Sequence, residues 1–227
     1  MSYNYLSLVN EVNRRLNEVE ITQVNFLTTV GFHSNVKDSI NSALRDIHHS
    51  HYEWPFNHVV NDDVLSVGIT RYAFPNNANT IDFDSFRIVK NATLGNETAK
   101  LEVITYDNYI KSYVDQEYSV ENRGVPEKVF FAPGQEYGVV PAPDKAYKVV
   151  YDYYRFPVDM ERHDDVPTIP ERFRHVIIDG AMYHTYMFRS NEQAANISKS
   201  KFEEGIKKMR TMLINKNEYM RSTYIQR

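Results

Sequence analysis

Four histidines, His48, His49, His51 and His58, gather in one short stretch. On a helix, His48 and His51 stand three apart and share a face, which is spacing that can grip a divalent metal. Together with an aspartate pair, such a site would point to a metal-dependent hydrolase or nuclease, with the ion activating a water. The sequence does not complete that set. Trp54-Pro55 follows, and no further His-x-x-x-His or carboxylate lies at ligand spacing. Histidines near a helix C-terminus also gain from the helix dipole, so a polar helix end without metal is the expected reading. His175 and His184 are nine residues apart, two and a half turns, and so point to opposite sides of a helix. They are expected to serve packing or interfaces.

The paired acids Asp62-Asp63 and Asp164-Asp165 meet a similar test. Catalytic carboxylates face one another across a cleft, whereas neighbours on a strand point to opposite faces. Both pairs are expected to shape turns. No EF-hand spacing surrounds them. The run Tyr147 to Tyr154 would suit base stacking only with cations around it. Here Lys145 and Lys148 are offset by Asp144 and Asp152, which favours sheet packing. Glycine is scarce, at 8 residues, and no Gly-x-Gly-x-x-Gly, Walker loop or Gly-x-Ser-x-Gly elbow occurs. The absence of cysteine excludes disulfides, thiol catalysis, cysteine zinc sites and iron–sulfur clusters. No catalytic, cofactor-binding or metal residue is therefore assigned.

Charge is unevenly distributed. The net charge is −4, yet Lys199 to Arg227 holds eight Lys or Arg against three Glu. The rest of the chain repels a duplex, because nonspecific DNA binding needs cations to neutralise phosphates. The basic end suits an acidic protein partner or a solvated helix face. Met1 to Asn10 lacks the basic-then-apolar pattern of a signal peptide, and no apolar run reaches the ~20 residues of a membrane span. A reducing compartment fits, and the glycosylation patterns at Asn91 and Asn96 are idle there.

The elements that would hold these residues follow from hydrophobic period. Residues 3 to 19 form an amphipathic helix, with Tyr5, Leu8, Val9, Val12, Leu16 and Val19 on one side. Gly31 marks a break, and Ser34 is placed to cap a second helix bearing Val36, Ile40, Ala43, Leu44 and Ile47. The middle turns to short strands around Val64 to Phe74, Ile81 to Val89, Lys100 to Ile104 and Lys128 to Phe131. Tyr147, Val149, Tyr151 and Tyr153 give the cleanest period of two. Thr105 is placed to cap one short helix with Ile110 and Val114 as its apolar edge. Helix returns after Pro167, through Phe173, Ile177, Ala181, His184 and Phe188. Ser190 with Gln193 is placed to restart a last helix, with Ala194, Ile197, Phe202, Ile206, Met209 and Leu213 on its buried side. The order of helices, strands, helices predicts an α+β fold. In it, residues 1–56 and 167–214 form a helical layer, 57–166 an inserted antiparallel β-sandwich or barrel, and 215–227 a C-terminal tail.

Four stretches carry a family resemblance. They are Val36 to Ile47 with Trp54-Pro55-Phe56; Leu65 to Pro75; Gly124-Val125-Pro126 with Val139 to Asp144 and Val149 to Tyr154; and Val166 to Phe173 with the helix that follows. In this order they resemble the head-to-tail adaptors of tailed phages, the tail tubular protein A kind of short-tailed phages. The resemblance implies a structural virion protein of the neck, assembled in the host cytoplasm, without catalysis, cofactor or membrane partner. It implies a homo-oligomer, a dodecameric ring docked under the portal protein and followed by a tail nozzle, tube or fibre protein, with DNA passing through its lumen without specific binding. An acidic lumen would let a duplex slide, where Lys and Arg would hold it. The C-terminal segment of such adaptors embraces the portal. The matching positions are Lys207, Lys208, Arg210, Lys216, Tyr219, Met220, Arg221, Tyr224, Ile225 and Arg227, and the tail 215–227 is expected to order on docking. A tail terminator, another layer of the same apparatus, is the neighbouring reading. The metal-dependent hydrolase or nuclease is the reading from a different class.

Overall fold

The computed structural model describes residues 3–91, 97–117 and 119–214 of the 227-residue chain. Contacts divide the chain into two units, Met1–Asn57 with Pro157–Arg227, and His58–Phe156.

Unit 1 is helical. α1 (Tyr5–Arg15) starts from a reciprocal cap: Ser7 N donates to Asn4 Oδ1 at 3.0 Å, and Asn4 N to Ser7 Oγ at 3.2 Å. It buries Tyr5, Leu8, Val9 and Val12. The helix ends at Arg15, earlier than the pattern suggested, because Asn17 turns to positive φ and Val19 comes out 77% exposed. α2 (Phe32–Ser50) begins after Gly31 rather than at Ser34, and Ser39 Oγ bonds back to Asn35 O. Val36, Ile40, Ala43, Leu44 and Ile47 are buried as their spacing required. Trp54 closes the helix end from below, donating Nε1–H to Ile47 O at 2.8 Å and stacking on Phe56.

α4 (Arg174–Phe188) follows a 3-10 turn at Glu171–Phe173. It packs against both α2 and α5 (Glu192–Leu213). Gly180 makes this close: a Cβ there would lie 2.7 Å from the Phe202 ring and 2.8 Å from Ala43 Cβ. The cap of α5 is Asn191, whose side chain accepts from Ala194 N at 3.2 Å; Ser190 instead occupies the turn at positive φ. The buried side of α5 is Ala195, Ser198, Phe202, Gly205 and Met209, with Ile206 and Leu213 packed partly buried against the same core; of the residues read onto this side, Ile197 faces outward. These faces close one core with Ile169, Phe173, Val176 and Ile177. Each such side chain contributes about 1.5–3 kcal/mol on leaving water.

Unit 2 is two facing sheets. The strands are β1 (His58–Leu65), β2 (Arg71–Ala73), β3 (Ala78–Asn91), β4 (Glu97–Lys100), β5 (Glu102–Val103), β6 (Lys128–Ala132), β7 (Glu136–Val140) and β8 (Tyr147–Arg155). One sheet runs β1-β8-β3-β4, all antiparallel; the other runs β2-β7-β6-β5, with β5 parallel to β6. Both are open, so the sandwich alternative holds and the closed barrel does not. β7 was missed in the sequence because Pro133-Gly134 reads as a breaker. Here it is the hairpin turn, with Gly134 and Gln135 both at positive φ. Alternation works as read on β8: Tyr147, Val149, Tyr151 and Tyr153 face the core. Gly68 takes φ +72 in the turn before β2, packed under Arg123. Thr105 caps α3 (Tyr106–Ser112), and Tyr109, not Ile110, supplies its buried edge, stacking on Phe130 at 4.0 Å.

Candidate functional site

The histidine cluster is taken apart by the fold. His48 is buried at 5%, near the end of α2, and shares a 2.7 Å hydrogen bond between its Nδ1 and Asn57 Nδ2, with its ring edge-on to Phe56. Thr168 Oγ1 sits 3.5 Å from its other nitrogen. His51 turns onto Trp54. Burial lowers its pKa, Arg210 on α5 lowers it further, and Glu53 opposes both. His58 belongs to β1 and lies 3.2 Å from Asp152 on β8. Among the described residues no three His, Asp or Glu side chains converge as metal ligands.

The two aspartate pairs differ from one another. Asp164-Asp165 is a turn, as expected: Asp165 Oδ2 accepts from Glu161 N and Arg162 N at 2.7 Å each, and these bonds hold its carboxyl below the usual carboxylate range. Asp62-Asp63 is not a turn but mid-strand. The pleat sends Asp62 outward to Lys148, 2.8 Å away on β8. Asp63 turns inward and accepts from Tyr137 and Tyr151, both at 3.0 Å. Burial, and then the charge of Asp63, raises the pKa of both phenols, so they stay protonated donors. The Tyr147–Tyr154 strand spends its inward rings on the core, with Tyr151 stacked on Phe86 at 4.5 Å.

A cleft of ≈ 580 Å³ in unit 1 is lined by Glu11, Arg14, Arg15, Glu171 and Arg174. Its arginines are matched by carboxylates. Arg174 Nε donates to Glu11 at 2.6 Å, Arg15 bridges Glu11 and Asp179 at 3.0 and 3.3 Å, and Arg14 meets Glu20 at 2.9 Å. An anion entering here would have to displace these pairs, so the cleft is a network tying α1 to α4.

Surface is the remaining feature. The basic positions Lys207, Lys208 and Arg210 all stand exposed on α5. Lys208 is held by Glu204 at 2.7 Å, an interaction that lowers the Glu204 pKa. Lys207 and Arg210 make no ion pair among the described residues. Lys216, Tyr219, Met220, Arg221, Tyr224, Ile225 and Arg227 lie outside the described residues.

Two exposed apolar regions were not anticipated. Val19, Val24, Leu27 and Val30 are 71–87% exposed on the loop joining α1 to α2. That loop is held by Asn10, which bonds both N and O of Ile21, and by buried Phe26 beneath Lys37. Its signal in the sequence is the lack of any Asp, Glu, Lys or Arg from Ile21 to Val36 without a helical period. The second region, Val158 and Val166, rims a small cleft beside His48. Exposed aliphatic clusters on well-anchored backbone are protein-contact surfaces more often than reaction sites.

Compared with known families, residues 3–226 match the family model of the SU10 adaptor protein. No curated protein matches the chain. No helix among the described residues is long and apolar enough to cross a membrane.

Proposed function

The chain belongs to the SU10 adaptor protein family, a family of phage adaptors, and from that premise we propose that it is one subunit of the ring joining portal to tail in the neck of the virion. The observation that carries this reading is that the family likeness runs through both units rather than through one of them. The subunit acts by binding its neighbours and not by turnover. In this reading copies close into a dodecameric ring in the host cytoplasm, the portal protein seats on one side, and the tail nozzle, tube or fibre protein on the other.

DNA leaves through the lumen without being gripped. Support comes from the charge of the chain outside its basic end, 18 Lys or Arg against 27 Asp or Glu over residues 1–198. A wall of that sign repels phosphates and offers no counter-charge to stall a moving duplex. Portal contact is assigned to Lys207, Lys208 and Arg210 at the end of α5, and to Lys216, Tyr219, Met220, Arg221, Tyr224, Ile225 and Arg227 beyond it. Cations and tyrosines of this kind suit an interface with an acidic, partly apolar partner.

The test is electron microscopy of the purified chain mixed with the portal ring of the same phage. A closed ring added to one face of the portal is expected. Portal rings left bare at micromolar adaptor, or an adaptor that joins only tail-tube ends as a terminator would, overturns the reading.

A further inference from the structure

Unit 1 carries two oppositely charged surfaces. Between Ile197 and Met212, α5 has five Lys or Arg against two Glu; the segment from Pro157 to Val166 has four Asp or Glu against one Arg. They rest on different supports. α5 lies on α4, with Phe202 pressed to Gly180. The acidic segment is bound to α1 through Tyr5 N to Asp165 O at 2.8 Å and Leu6 N to His163 O at 3.1 Å. Asn41, on a flank of α2 turned away from Ala43, clamps Met160 with bonds of 2.9 and 3.1 Å.

Each surface also has an apolar part. The segment borders a cleft of ≈ 220 Å³ whose apolar lining is Leu44, Val158, Met160, Val166 and Pro167 and whose polar lining is His48, Asp159, Asp165 and Thr168. That is below the roughly 300–1,000 Å³ of small-molecule pockets and suits inserted side chains. Val158 is 79% and Val166 62% exposed at its rim, with Asp159, Glu161 and Asp164 around them. On α5, Ile197, Lys201 and Met212 fall on one stripe at 3.6 residues per turn. Ile197 is 61% and Met212 60% exposed, and Lys201 has no ion pair among the described residues. Lys207 and Arg210 point to the other flank of the helix, so using the stripe leaves these two free for the portal; Lys208 falls on the stripe itself, paired with Glu204.

We propose that the Ile197–Lys201–Met212 stripe of one copy docks on the Val158–Val166 cleft of a second copy of this chain. Met212, flexible and unbranched, fills the cleft, and Lys201 meets Glu161 and Asp159. The two surfaces are complementary and distinct, so the contact is heterologous, the kind that propagates head to tail and closes into a ring. This rests on the ring reading above and names the faces that build it. A nucleic acid is the wrong sign for the acidic cleft.

The lack of cysteine makes the test clean. Val158→Cys and Met212→Cys, both at exposed positions, are mixed, assembled on the portal ring of the same phage and mildly oxidised. A disulfide-linked dimer holding one of each variant is expected, and neither variant alone gives it. Lys201→Glu is expected to reduce assembled rings at least tenfold, and Lys201→Glu with Glu161→Lys in the same chain to restore them. Wild-type rings that form while no mixed cross-link appears, or Lys201→Glu rings as abundant as wild type, overturn this interface and leave the ring reading standing. A wild-type chain that forms no ring on the portal overturns both.

Discussion

Asp63 on β1 and Tyr137 on β7 join the two sheets of unit 2 by a 3.0 Å hydrogen bond from phenol to carboxylate. Tyr151, also buried, donates to the same oxygen at 3.0 Å, and Asn61 supports it from the side. The pair of aspartates that looks like candidate chemistry in the sequence is thus one surface ion pair and one inter-sheet tie.

Replacing Asp63 with Ala strands two buried hydroxyls, which costs about 1–3 kcal/mol. Asp62→Ala removes only an exposed pair with Lys148 and is expected to cost under about 1 kcal/mol. Urea midpoints at an unchanged denaturant slope measure the difference. Equal midpoints for the two variants would show that the inter-sheet bond contributes nothing.

Gly180→Ala reverses the usual rule for helices. Propensity alone would favour alanine by about 1 kcal/mol. The added methyl, however, meets Phe202 and Ala43 well inside contact distance, and overpacking costs about 1–3 kcal/mol. A net loss of stability is expected, in contrast to a gain at any solvent-facing helical glycine. A rise in melting temperature would refute the close α2–α4–α5 approach.

Stability should fall as the solution is acidified through the histidine range, and His51 is one source. Its folded pKa is lowered, so below its ordinary pKa of 6.5 the unfolded chain binds the proton that the folded chain resists. The contribution is present above that pH and lost below it. Between about pH 8 and 5 the melting temperature of wild type is expected to fall more than that of His51→Gln. Parallel curves across that range count against it.

His48→Ala is expected to lower stability by about 1–3 kcal/mol through the loss of the bond to Asn57. Because that nitrogen is engaged within the protein, zinc or a chelator should leave the melting temperature unchanged. A metal-dependent rise in melting temperature that His48→Ala abolishes would revive the hydrolase reading.

A chain ending at Ile214 is expected to melt with the full-length protein and to attach more weakly to the portal. Among the described residues, the core of unit 1 already closes with Phe202 and Met209 of α5. A clearly lower melting temperature would place the last residues in the fold and not in docking.

Much of this was legible in the sequence. Helical spacing placed Val36, Ile40, Ala43 and Ile47 in a core, and a period of two did the same for Tyr147, Val149, Tyr151 and Tyr153, because those periods are properties of the backbone itself. The order of helices, strands and helices gave the α+β class, and the ordered motifs gave the family. What the tertiary structure alone decided is where neighbours compete for the same residue. Asn191 took the cap that Ser190 seemed to offer, and the outward turn of Ile197 depended on which side of α5 met α4. His48 stays on α2 while His51 lies just past its end in extended backbone, and the two answer to different partners, Asn57 and Trp54. Asp62 and Asp63 are adjacent in sequence, yet the pleat alone sends one to solvent and the other between the sheets. Local pattern fixes the period of a segment; which face is buried depends on contacts that are distant in the chain.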